Sequence, residues 1–532
     1  MSGTRSDVRS DVRADARADE GVGGEDLGEE LGAVDEFYAI GDSYTEAIGS
    51  PDYSYPITLA SVSGKTVTNG GTGGEDANEI GTRFAALSAN DRRKYAIMWE
   101  QPPMGQGTTG DNDPDFITAG YRTFADAGIR TDGIKILVAP ANRCLNTYSA
   151  GTKSIYVTNY AAIKSAMVAE FTGSEAVYIL DMNDWMVNPR RNAPTDATDV
   201  TDQADGLIPA SFRRAGNLTH LDEKGSVFSG QVIYNHWLTL TDAKYAALVA
   251  KITHLWRMDE YSGAGGSGPD RLDSIGTTHD AVIANNIEKI PGKFGHASRF
   301  YSSGRARVPS HSSMDFAGDF TISCWVRPDT GTSSNGRIID RWATGGGIIL
   351  RINAGKFEWM GGSGLTKVIS TASYVLDEWH HIEAYYNSST AKLGLIVDGV
   401  AATEVSLASI AWQTEDLTFG ASASSGSVFS GAVQQIAFCG ELLTADDRAI
   451  ILNPRTGSIT AFADGGGGQV TVTSAAHGLI LGDLVTITGT TSYNGSFTVA
   501  AITANTFEIT DTWLADDATG SWTADGQRIP GL

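Results

Sequence analysis

An apolar run over residues 37–40 leads directly into Gly41, Asp42 and Ser43. A short buried run that ends in Gly-Asp-Ser predicts a serine at the point where a strand turns into a helix. The hydroxyl is exposed there at the end of the sheet, which is what a nucleophile requires. A serine in this place can also simply cap the following helix, so the tripeptide alone leaves both interpretations open.

Strand-like and helix-like segments alternate after this point, which predicts a parallel sheet covered by helices. The strand-like runs are continuously apolar, and the helix-like stretches carry apolar residues at helical spacing. Because ligands of such sheets bind beyond the carboxyl ends of the strands, we expect Ser43 and Gly71 to lie at one edge. The predicted strands cover residues 95–99, 134–139 and 176–181, and the predicted helices cover 156–171 and 225–237.

Two further segments follow Ser43 in a definite order. The first is Asn-Gly-Gly-Thr-Gly-Gly at residues 69–74, and the second is Asn-Leu-Thr-His-Leu-Asp at residues 217–222. In this order the three segments resemble the SGNH, or GDSL-like, hydrolases over residues 36–245. The resemblance implies a flavodoxin-like three-layer α/β fold and a serine esterase, a carboxylic ester hydrolase with no organic cofactor and no catalytic metal.

The resemblance implies roles for four residues. Ser43 would be the nucleophile, and its own N–H one oxyanion donor. Gly71 would give a second backbone N–H, because a residue without a side chain lets the backbone approach the substrate oxygen closely. His220 would be the general base and then the acid for the leaving group. Asn217 stands where the family has an acid, and an amide can orient the imidazole ring but cannot stabilise its cation as a carboxylate does.

A carboxylate from elsewhere could replace the one that is missing at Asn217. Asp199, Asp202 and Asp205 lie upstream of His220. Ordinary loop aspartates account for these three residues more simply, so none of them is assigned a role.

The third sequence block of the family, Gly-x-Asn-Asp, is displaced in this chain. The predicted strand at residues 95–99 runs into Glu-Gln-Pro-Pro, and a literal Gly-Asp-Asn-Asp follows only at residues 110–113. The side-chain oxyanion donor would then be Asn112, on a long loop, or Gln101 in its place. These departures keep a second hypothesis open, in which the hydrolase fold is degenerate and inactive.

The length and the charge of the chain restrict the remaining classes of function. At 532 residues, the chain is too long for one hydrophobic core, and roughly two to four domains are expected. Its 39 Lys and Arg against 63 Asp and Glu give a net charge of −24, which argues against binding to nucleic acid or to an anionic membrane. No window approaches the length of a transmembrane helix, so no membrane insertion is expected.

Cysteine content and the N-terminus bear on location. Cys144, Cys324 and Cys439 are too few and too dispersed for a disulfide scaffold or a zinc site. Cys324 and Cys439 lie in apolar runs, so we expect buried free thiols. The charged N-terminus lacks the apolar core of a secretory signal. Release by lysis on a virus particle would still take the protein outside a cell, so the expected location is a virion, extracellular after release.

Residues 1–35 contain a four-residue repeat. Arginine recurs beside aspartate at Arg5, Arg9, Arg13 and Arg17. The arginines would line one side of a helix with almost no apolar face, so the segment would not fold alone. It is either a disordered tail or a docking arm that orders against other proteins of an assembly.

From residue 254 the pattern changes to short strands and turns. Strict alternation of apolar residues over 320–326 marks a half-buried strand, and Asp398-Gly399 indicates a hairpin turn. With the segments at 292–300 and 378–382, these landmarks resemble the laminin-G-like, or concanavalin A-like, jelly roll over residues 253–455. The resemblance implies an all-β sandwich of two antiparallel sheets. Its expected core includes Phe300, Trp325 and Trp379.

Relatives of this jelly roll often bind glycans or proteins, some of them through calcium. The implied partner is a host surface glycan or receptor, and a structural Ca²⁺ ion is an open expectation. Asp259, Asp273 and Asp280 could supply oxygen ligands, but scattered surface aspartates explain them more simply, so no metal ligand is assigned. Trp359 and Trp412 could stack on sugars if they are exposed. Fold alone does not establish binding.

Residues 456–532 form a third unit, a small all-β domain. The alternating residues 469–473 and the turn signal Asn494-Gly495 indicate short strands joined by hairpins. This unit resembles β-modules that recur in phage tail and appendage proteins. His477 lies beside a glycine in a turn, which favours a structural role.

The three resemblances together imply a virion-associated protein of the phage tail or fibre type. Its esterase would deacetylate or otherwise de-esterify host surface polysaccharide, and its jelly roll would hold the glycan and raise the local substrate concentration. The N-terminal arm would bind other virion proteins, and a homotrimer would suit a fibre. The main alternative is a non-catalytic structural or adhesive virion protein that uses a degenerate hydrolase fold as a scaffold. A bacterial enzyme with an accessory carbohydrate-binding domain is a third.

Overall fold

The computed structural model describes most of the chain beyond the N-terminal segment. The described residues are 33–46, 54–102, 113–142, 147–260, 271–275 and 279–524, apart from positions 175, 193, 195, 215–216, 333, 365, 423–425, 454, 476, 480–481 and 504. The arginine repeat, Asn112 and Cys144 lie outside these residues.

The N-terminal region contains a five-stranded parallel sheet. Its strands are β1 (Phe37–Gly41), β2 (Val67–Gly71), β3 (Tyr95–Trp99), β4 (Lys135–Ala139) and β5 (Val177–Asp181). Their order in the sheet is β2-β1-β3-β4-β5. Gly41 pairs with Gly71 on one side and with Trp99 on the other, so the carboxyl ends of β2, β1 and β3 meet at one edge. The predicted α/β class and parallel sheet are confirmed.

Ten α-helices, a 3₁₀ helix at Ala210–Phe212 and one short strand pair complete the described part of this region. Many helices begin at an aspartate whose carboxylate accepts backbone N–H groups of the first turn, as Asp76, Asp113 and Asp222 do, which satisfies donors that the helix leaves unpaired. The helices are α1 (Ser43–Glu46), α2 (Tyr55–Ser63), α3 (Ala77–Ala85), α4 (Ala89–Arg92), α5 (Pro114–Ala127), α6 (Ala150–Phe171), α7 (Met182–Val187), α8 (Ala197–Ala204), α9 (Glu223–Thr241) and α10 (Ala243–Lys251), and the antiparallel pair is β6 (Arg213–Arg214) with β7 (Asn217–Leu221).

Successive side chains of β1 point to opposite faces of the sheet, so the core of this region has two layers. Phe37 and Ala39 belong to a cluster with α2 and α9 on one face of the sheet. Tyr38 and Ile40 belong to a cluster with α3, α5 and α6 on the other face. Every residue of β1 is buried, as expected of a central parallel strand covered by helices on both sides. The region is therefore a three-layer sandwich of helices, sheet and helices.

The middle region is a curled, largely antiparallel sheet of fourteen described strands. Trp359 and Tyr385 lie on strands that are distant in the sheet, and the indole N–H of Trp359 donates to the Tyr385 carbonyl at 3.0 Å. The sheet thus folds over on itself and encloses one apolar core. The strands are β8 (Ile252–Trp256), β9 (Val282–Pro291), β10 (His296–Val308), β11 (Phe320–Pro328), β12 (Arg337–Ala343), β13 (Gly346–Asn353), β14 (Lys356–Gly361), β15 (Thr366–Ile369), β16 (His380–Asn387), β17 (Lys392–Val397), β18 (Val400–Ala401), β19 (Val405–Ser406), β20 (Leu417–Phe419) and β21 (Gly431–Cys439), followed by α11 (Ala445–Leu452).

Most of the predicted core of the jelly roll is buried. The alternating apolar residues of 320–326, together with Phe300 and Trp325, are at most 3% exposed. Trp379 is an exception, so its assignment to the core was wrong. It is half-buried in the turn before β16, and its ring lies 5.8 Å from the Arg327 guanidinium, an arrangement typical of a cation–π contact at a surface.

The two tryptophans considered for sugar stacking pack in the core or against it. Trp359 is fully buried. Trp412 is half-buried against the core, and its indole N–H donates to the Phe316 carbonyl at 2.9 Å. Stacking of Trp359 on a sugar is therefore ruled out.

Cys324 and Cys439 are buried free thiols, as predicted. Burial raises the pKa of both thiols. They therefore behave as small apolar side chains rather than as nucleophiles.

The C-terminal region is a seven-stranded antiparallel sheet. Its strands are β22 (Arg455–Ser458), β23 (Ala461–Gly466), β24 (Gln469–Thr473), β25 (Leu484–Thr488), β26 (Gly495–Ile502), β27 (Thr506–Thr510) and β28 (Ser521–Ala524). Their order in the sheet is β22-β28-β25-β26-β27-β24-β23.

His477 has the structural role that was predicted. Its Nε2 bonds the carbonyls of Thr503 and Thr506 at 2.9 and 3.1 Å, and its Nδ1 accepts the N–H of Leu479 at 3.0 Å.

Contacts join the three regions. Arg190 forms a bidentate ion pair with Asp280 of the jelly roll. Lys251 of α10 forms an ion pair with Asp447 of α11. Val227 of α9 packs in the core of the C-terminal sheet. The domain boundaries at 36–245, 253–455 and 456–532 stay predictions, and α10 occupies the junction between the first two. No helix among the described residues is both long and apolar enough to cross a membrane.

Glu223 gives the contact between α9 and the C-terminal sheet a pH dependence. Burial, followed by the Asp222 and Glu508 carboxylates, raises the pKa of Glu223 to about 7. The folded protein therefore binds this proton more tightly than the unfolded chain, whose glutamate pKa is about 4.3. Stability is then lost as the pH rises from about 4 to about 7. We expect Glu223→Gln to raise the melting temperature at pH 8, and to raise it much less at pH 5.

Differential scanning calorimetry at the two pH values measures this effect. Glu441→Gln, at an exposed position of the jelly roll, is the matched control and should follow the wild-type protein at both. An equal gain at pH 5 and pH 8 would contradict the assignment.

Candidate active site

The turn between β1 and α1 places Ser43 at the carboxyl edge of the sheet. A Cβ atom on Gly41 would lie 2.1 Å from the carbonyl oxygen of Trp99 and 2.2 Å from Oγ1 of Thr45. Only glycine allows β1 to end this close to β3. Ser43 is then the first residue of α1, as the Gly-Asp-Ser motif predicts.

Asp42 holds this turn in place. Its Oδ1 accepts the N–H of Tyr44 at 2.9 Å, and its Oδ2 accepts the N–H of Gln101 at 3.0 Å. The side chain is buried. Because hydrogen bonds to a buried carboxylate are among the stronger ones in proteins, Asp42 fixes the start of α1 relative to the end of β3. Asp42 was not among the predicted site residues, although the motif contains it.

His220 reaches Ser43 from the β6–β7 pair. The N–H of Asp222 donates to the Phe212 carbonyl at 2.8 Å, and the Asp222 carboxylate accepts the N–H of Gly225 at 2.9 Å, so the end of β7 is tied on both sides. In this setting, Nε2 of His220 lies 3.0 Å from Oγ of Ser43. The structure thus brings together the predicted nucleophile and the predicted base, which are 177 residues apart in the sequence.

Two tyrosines lie near the contact between Ser43 and His220. The Tyr44 ring lies 5.7 Å from the His220 ring, centre to centre. The Thr45 hydroxyl donates to the Tyr55 hydroxyl at 3.3 Å. Burial, with a smaller contribution from the Asp42 carboxylate, raises the pKa of Tyr55. This phenol therefore stays protonated near neutral pH and does not act as a base there.

Gly71 lies beside the same turn. A Cβ atom at this position would lie 2.1 Å from the backbone nitrogen of Glu46, so no other residue fits without a backbone shift. Its N–H, the predicted second oxyanion donor, donates to Oδ1 of Asn69 at 2.9 Å. Asn69 is exposed. The donor therefore lies at the expected edge but is bonded to a neighbouring side chain.

Gln101 does not provide a side-chain oxyanion donor in this structure, so this prediction is corrected. The residue is 2% exposed. Its side-chain nitrogen donates to the Ala141 carbonyl and, at 2.7 Å, to the Tyr160 hydroxyl, and its Oε1 accepts the Ala141 N–H at 3.0 Å. Both N–H groups are used, and the side chain ties the end of β3 to the end of β4.

Two predicted site residues cannot be placed by their side chains. Asn112 lies outside the described residues. The backbone of Asn217 begins β7, three residues before His220, and its side chain lies outside the described part of the chain. The roles of both residues stay predictions.

The three aspartates upstream of His220 interact with side chains other than that histidine. Asp199 accepts the N–H and the hydroxyl of Ser211 at 3.0 and 2.7 Å. Asp202 lies 4.0 Å from Arg213, and Asp205 pairs with a lysine of α6. Asp199 and Asp202 are fully buried on α8, so the interpretation as loop aspartates was wrong for these two.

Metal-ligating side chains converge in the jelly roll. Among the described residues, one group of three such side chains has donor atoms within 4.8 Å of one another, namely His254, Asp273 and His279. Asp259 and Asp273 are buried, so the interpretation as surface aspartates was wrong for them. Asp280, the third aspartate considered for calcium, is paired with Arg190.

One comparison with known proteins identifies the middle region. Residues 300–447 match a family model described as the Concanavalin A-like lectin/glucanases superfamily. This match, together with the curled antiparallel sheet, defines the middle region as a laminin-G-like, concanavalin A-like jelly roll. A search of the curated proteins gave no match.

Solved structures were matched at low similarity. Domain 4 of AbnA, a GH43 extracellular arabinanase from Geobacillus stearothermophilus in complex with arabinotriose, is 15% identical, with 36% of this chain and 94% of that chain covered and a TM-score of 0.30. The binding domain of Paraclostridial Mosquitocidal Protein 1 is 14% identical, with 43% and 64% covered and a TM-score of 0.31. The receptor binding domain of botulinum neurotoxin mosaic serotype C/D is 13% identical, with 43% and 65% covered and a TM-score of 0.29.

Substitution of Gly71 tests the close approach at the site. We expect Gly71→Ala to lower the melting temperature by several degrees, because the new Cβ atom would meet the Glu46 backbone and overpacking costs about 1–3 kcal/mol. Gly151→Ala is the matched control. Its Cβ atom would have its nearest neighbour 3.9 Å away, and alanine favours the α6 helix, so thermal unfolding should be unchanged or slightly later. Equal melting temperatures for the two variants would contradict the packing described.

Proposed function

We propose that the N-terminal region is a serine esterase of the SGNH type that removes ester-linked acyl groups, acetyl above all, from a surface polysaccharide. The observation that carries the proposal is the 3.0 Å contact between Nε2 of His220 and Oγ of Ser43. The pair lies at the carboxyl edge of a parallel sheet, where such folds bind their ligands.

The contact suits acyl transfer. Oγ of Ser43 attacks the ester carbonyl while Nε2 of His220 takes its proton, and the resulting imidazolium protonates the departing sugar oxygen. Water then repeats the sequence on the acyl-enzyme and frees the carboxylic acid. The N–H of Ser43 stabilises the negative oxygen of the tetrahedral intermediate, which is the group where charge develops.

A second oxyanion donor requires a local rearrangement. The N–H of Gly71 bonds Asn69 at 2.9 Å, and Asn69 is exposed. In this proposal the substrate oxygen takes the place of Asn69 Oδ1, and the amide side chain turns into solvent. Asn112 would add a side-chain donor from its loop.

The charge of the protein favours a particular class of substrate. The net charge of −24 favours a neutral glycan over a polyanion.

The jelly roll would hold the same glycan. Its fold belongs with lectin-like domains, and attachment on the same chain raises the local concentration of substrate. We further propose that the protein acts on a virion of the phage tail or fibre type, where the N-terminal arm binds other virion proteins and a homotrimer forms. The arginine repeat of the arm and the small C-terminal sheet support this placement.

A non-catalytic, adhesive role is the second candidate. The engaged N–H of Gly71, the fully used side chain of Gln101 and the amide at Asn217 favour it. In that case the hydrolase-like region would be a scaffold for the jelly roll.

Hydrolysis of a short-chain chromogenic acetyl ester and of an O-acetylated polysaccharide decides between the two. We expect activity in the wild-type protein and a loss of about 10³-fold or more in Ser43→Ala, because the attacking atom is removed. Ser88→Ala is the matched control, since Ser88 also begins a helix of the same region, and it should keep full activity. Equal rates for the wild-type protein and Ser43→Ala on both substrates would replace the esterase with the adhesive role.

Restoring the acid tests the role of Asn217. We expect Asn217→Asp to raise kcat at pH 8 by about tenfold or more, because a carboxylate stabilises the imidazolium and the reverse change costs a serine protease about 10⁴-fold. Asn217→Ala should lower kcat, because the alanine side chain cannot orient the imidazole ring of His220. A pH–rate profile separates a gain in chemistry from a gain in stability. Unchanged kcat in both variants would contradict a role for this position.

A further inference from the structure

The inference concerns a cluster at the start of the jelly roll that the esterase proposal does not use. His254 lies on β8, and Asp273 and His279 follow in the next segments of the chain. Their exposed fractions are 5%, 0% and 7%. Buried imidazole and carboxylate groups need partners, and these three side chains are one another's neighbours.

The donor atoms are spaced for one metal ion. Oδ2 of Asp273 lies 2.8 Å from Nδ1 of His254 and 3.8 Å from Nδ1 of His279, and the three donors lie within 4.8 Å of one another. Bonds of 2.0–2.1 Å in a tetrahedral zinc site set the donors about 3.3 Å apart. The two distances lie on either side of that value, so small side-chain movements would suffice.

Outer contacts orient two of the three groups. The other oxygen of Asp273, Oδ1, accepts the N–H groups of Leu255 and Ile275 at 3.1 and 3.2 Å, which leaves Oδ2 on the side of the imidazoles. Nε2 of His279 lies 3.0 Å from Oγ of Ser313. When this nitrogen carries the proton, Nδ1 presents its lone pair to the cluster. Ligating histidines are commonly fixed in this way through their second nitrogen.

The surroundings of the cluster set its local charge. The ring of His311, an exposed residue, lies 4.7 Å from the ring of His279, at the outer side of the cluster. Arg190 donates to the Asp273 carbonyl at 3.0 Å and pairs with Asp280. The charge of Asp280 is thus countered by Arg190, and Asp273 supplies the one formal negative charge among the three donors.

We propose that His254, Asp273 and His279 bind one divalent transition-metal ion, with zinc as the expected occupant. Two imidazole nitrogens and one carboxylate oxygen suit zinc and its neighbours, whereas calcium prefers oxygen ligands throughout. The ion fastens β8 to the segment that contains Asp273 and His279. Because Arg190 joins that segment to the N-terminal region, the ion also stabilises the junction between the N-terminal region and the jelly roll.

The first experiment measures zinc binding by the full-length protein. After chelator treatment and dialysis, we expect one equivalent of Zn²⁺ to bind in a calorimetric titration and to raise the melting temperature by at least about 3 °C. In His279→Asn the stoichiometric binding and the thermal shift should both be lost. His380→Asn is the matched control, because Nδ1 of His380 also lies 2.7 Å from an aspartate, Asp398, but without a third ligand, and this variant should bind zinc as the wild-type protein does.

A spectroscopic measurement keeps the test independent of whether the variants fold. Co²⁺ added to the metal-free wild-type protein should give the intense visible bands of four-coordinate cobalt, saturating at one equivalent and disappearing when Zn²⁺ is added. Absence of stoichiometric binding in the wild-type protein would overturn the proposal. Undiminished binding by a folded His279→Asn would overturn it as well, and the cluster would then be a structural His–Asp pair.

Discussion

The carboxylate of Asp42 is the interaction on which the N-terminal site depends. It accepts one N–H from the first turn of α1 and one from Gln101, two residues after β3, so a single buried side chain joins a helix start to the end of a neighbouring strand. The contact requires glycine at position 41, where any Cβ atom would meet the Trp99 carbonyl. Because both constraints act on the backbone, Ser43 is held at the sheet edge without help from its own side chain, which leaves its hydroxyl to His220.

Charged groups hold the junction with the jelly roll together with an apolar cluster in which Leu248 of α10 packs against residues of β8, β21 and α11. Arg190 follows α7 and binds both the Asp280 carboxylate and the Asp273 carbonyl, and Arg257 donates to the Arg191 carbonyl. A guanidinium presents several donors in one plane and can satisfy two acceptors at once. The same arginine therefore orients the N-terminal region and braces the segment that carries two of the three clustered metal-ligating side chains.

The sequence predicted those features that depend on neighbouring residues. Apolar runs gave the strands of the parallel sheet, helical spacing gave α6 and α9, and the Gly-Asp-Ser motif gave the position of Ser43. Gln101 was misassigned because its fate depends on Ala141 and Tyr160, which lie 40 and 59 residues away. The buried state of Asp273 likewise follows from its pairing with Trp256 of β8, which no local pattern reveals. The side-chain roles of Asn112 and Asn217 stay predictions.

The C-terminal sheet bears on the site although it is distant in the sequence. His220 is followed at once by Asp222, the cap of α9, and by Glu223, whose pKa responds to Glu508 of β27. One turn later, Val227 packs in the core of the C-terminal sheet. The sheet thus packs against the first turns of the helix that follows the histidine strand. A displacement there would move His220 relative to Ser43, and the proton transfer that we propose between them depends on their close positioning. The third region is therefore part of the structural support of the Ser43–His220 contact.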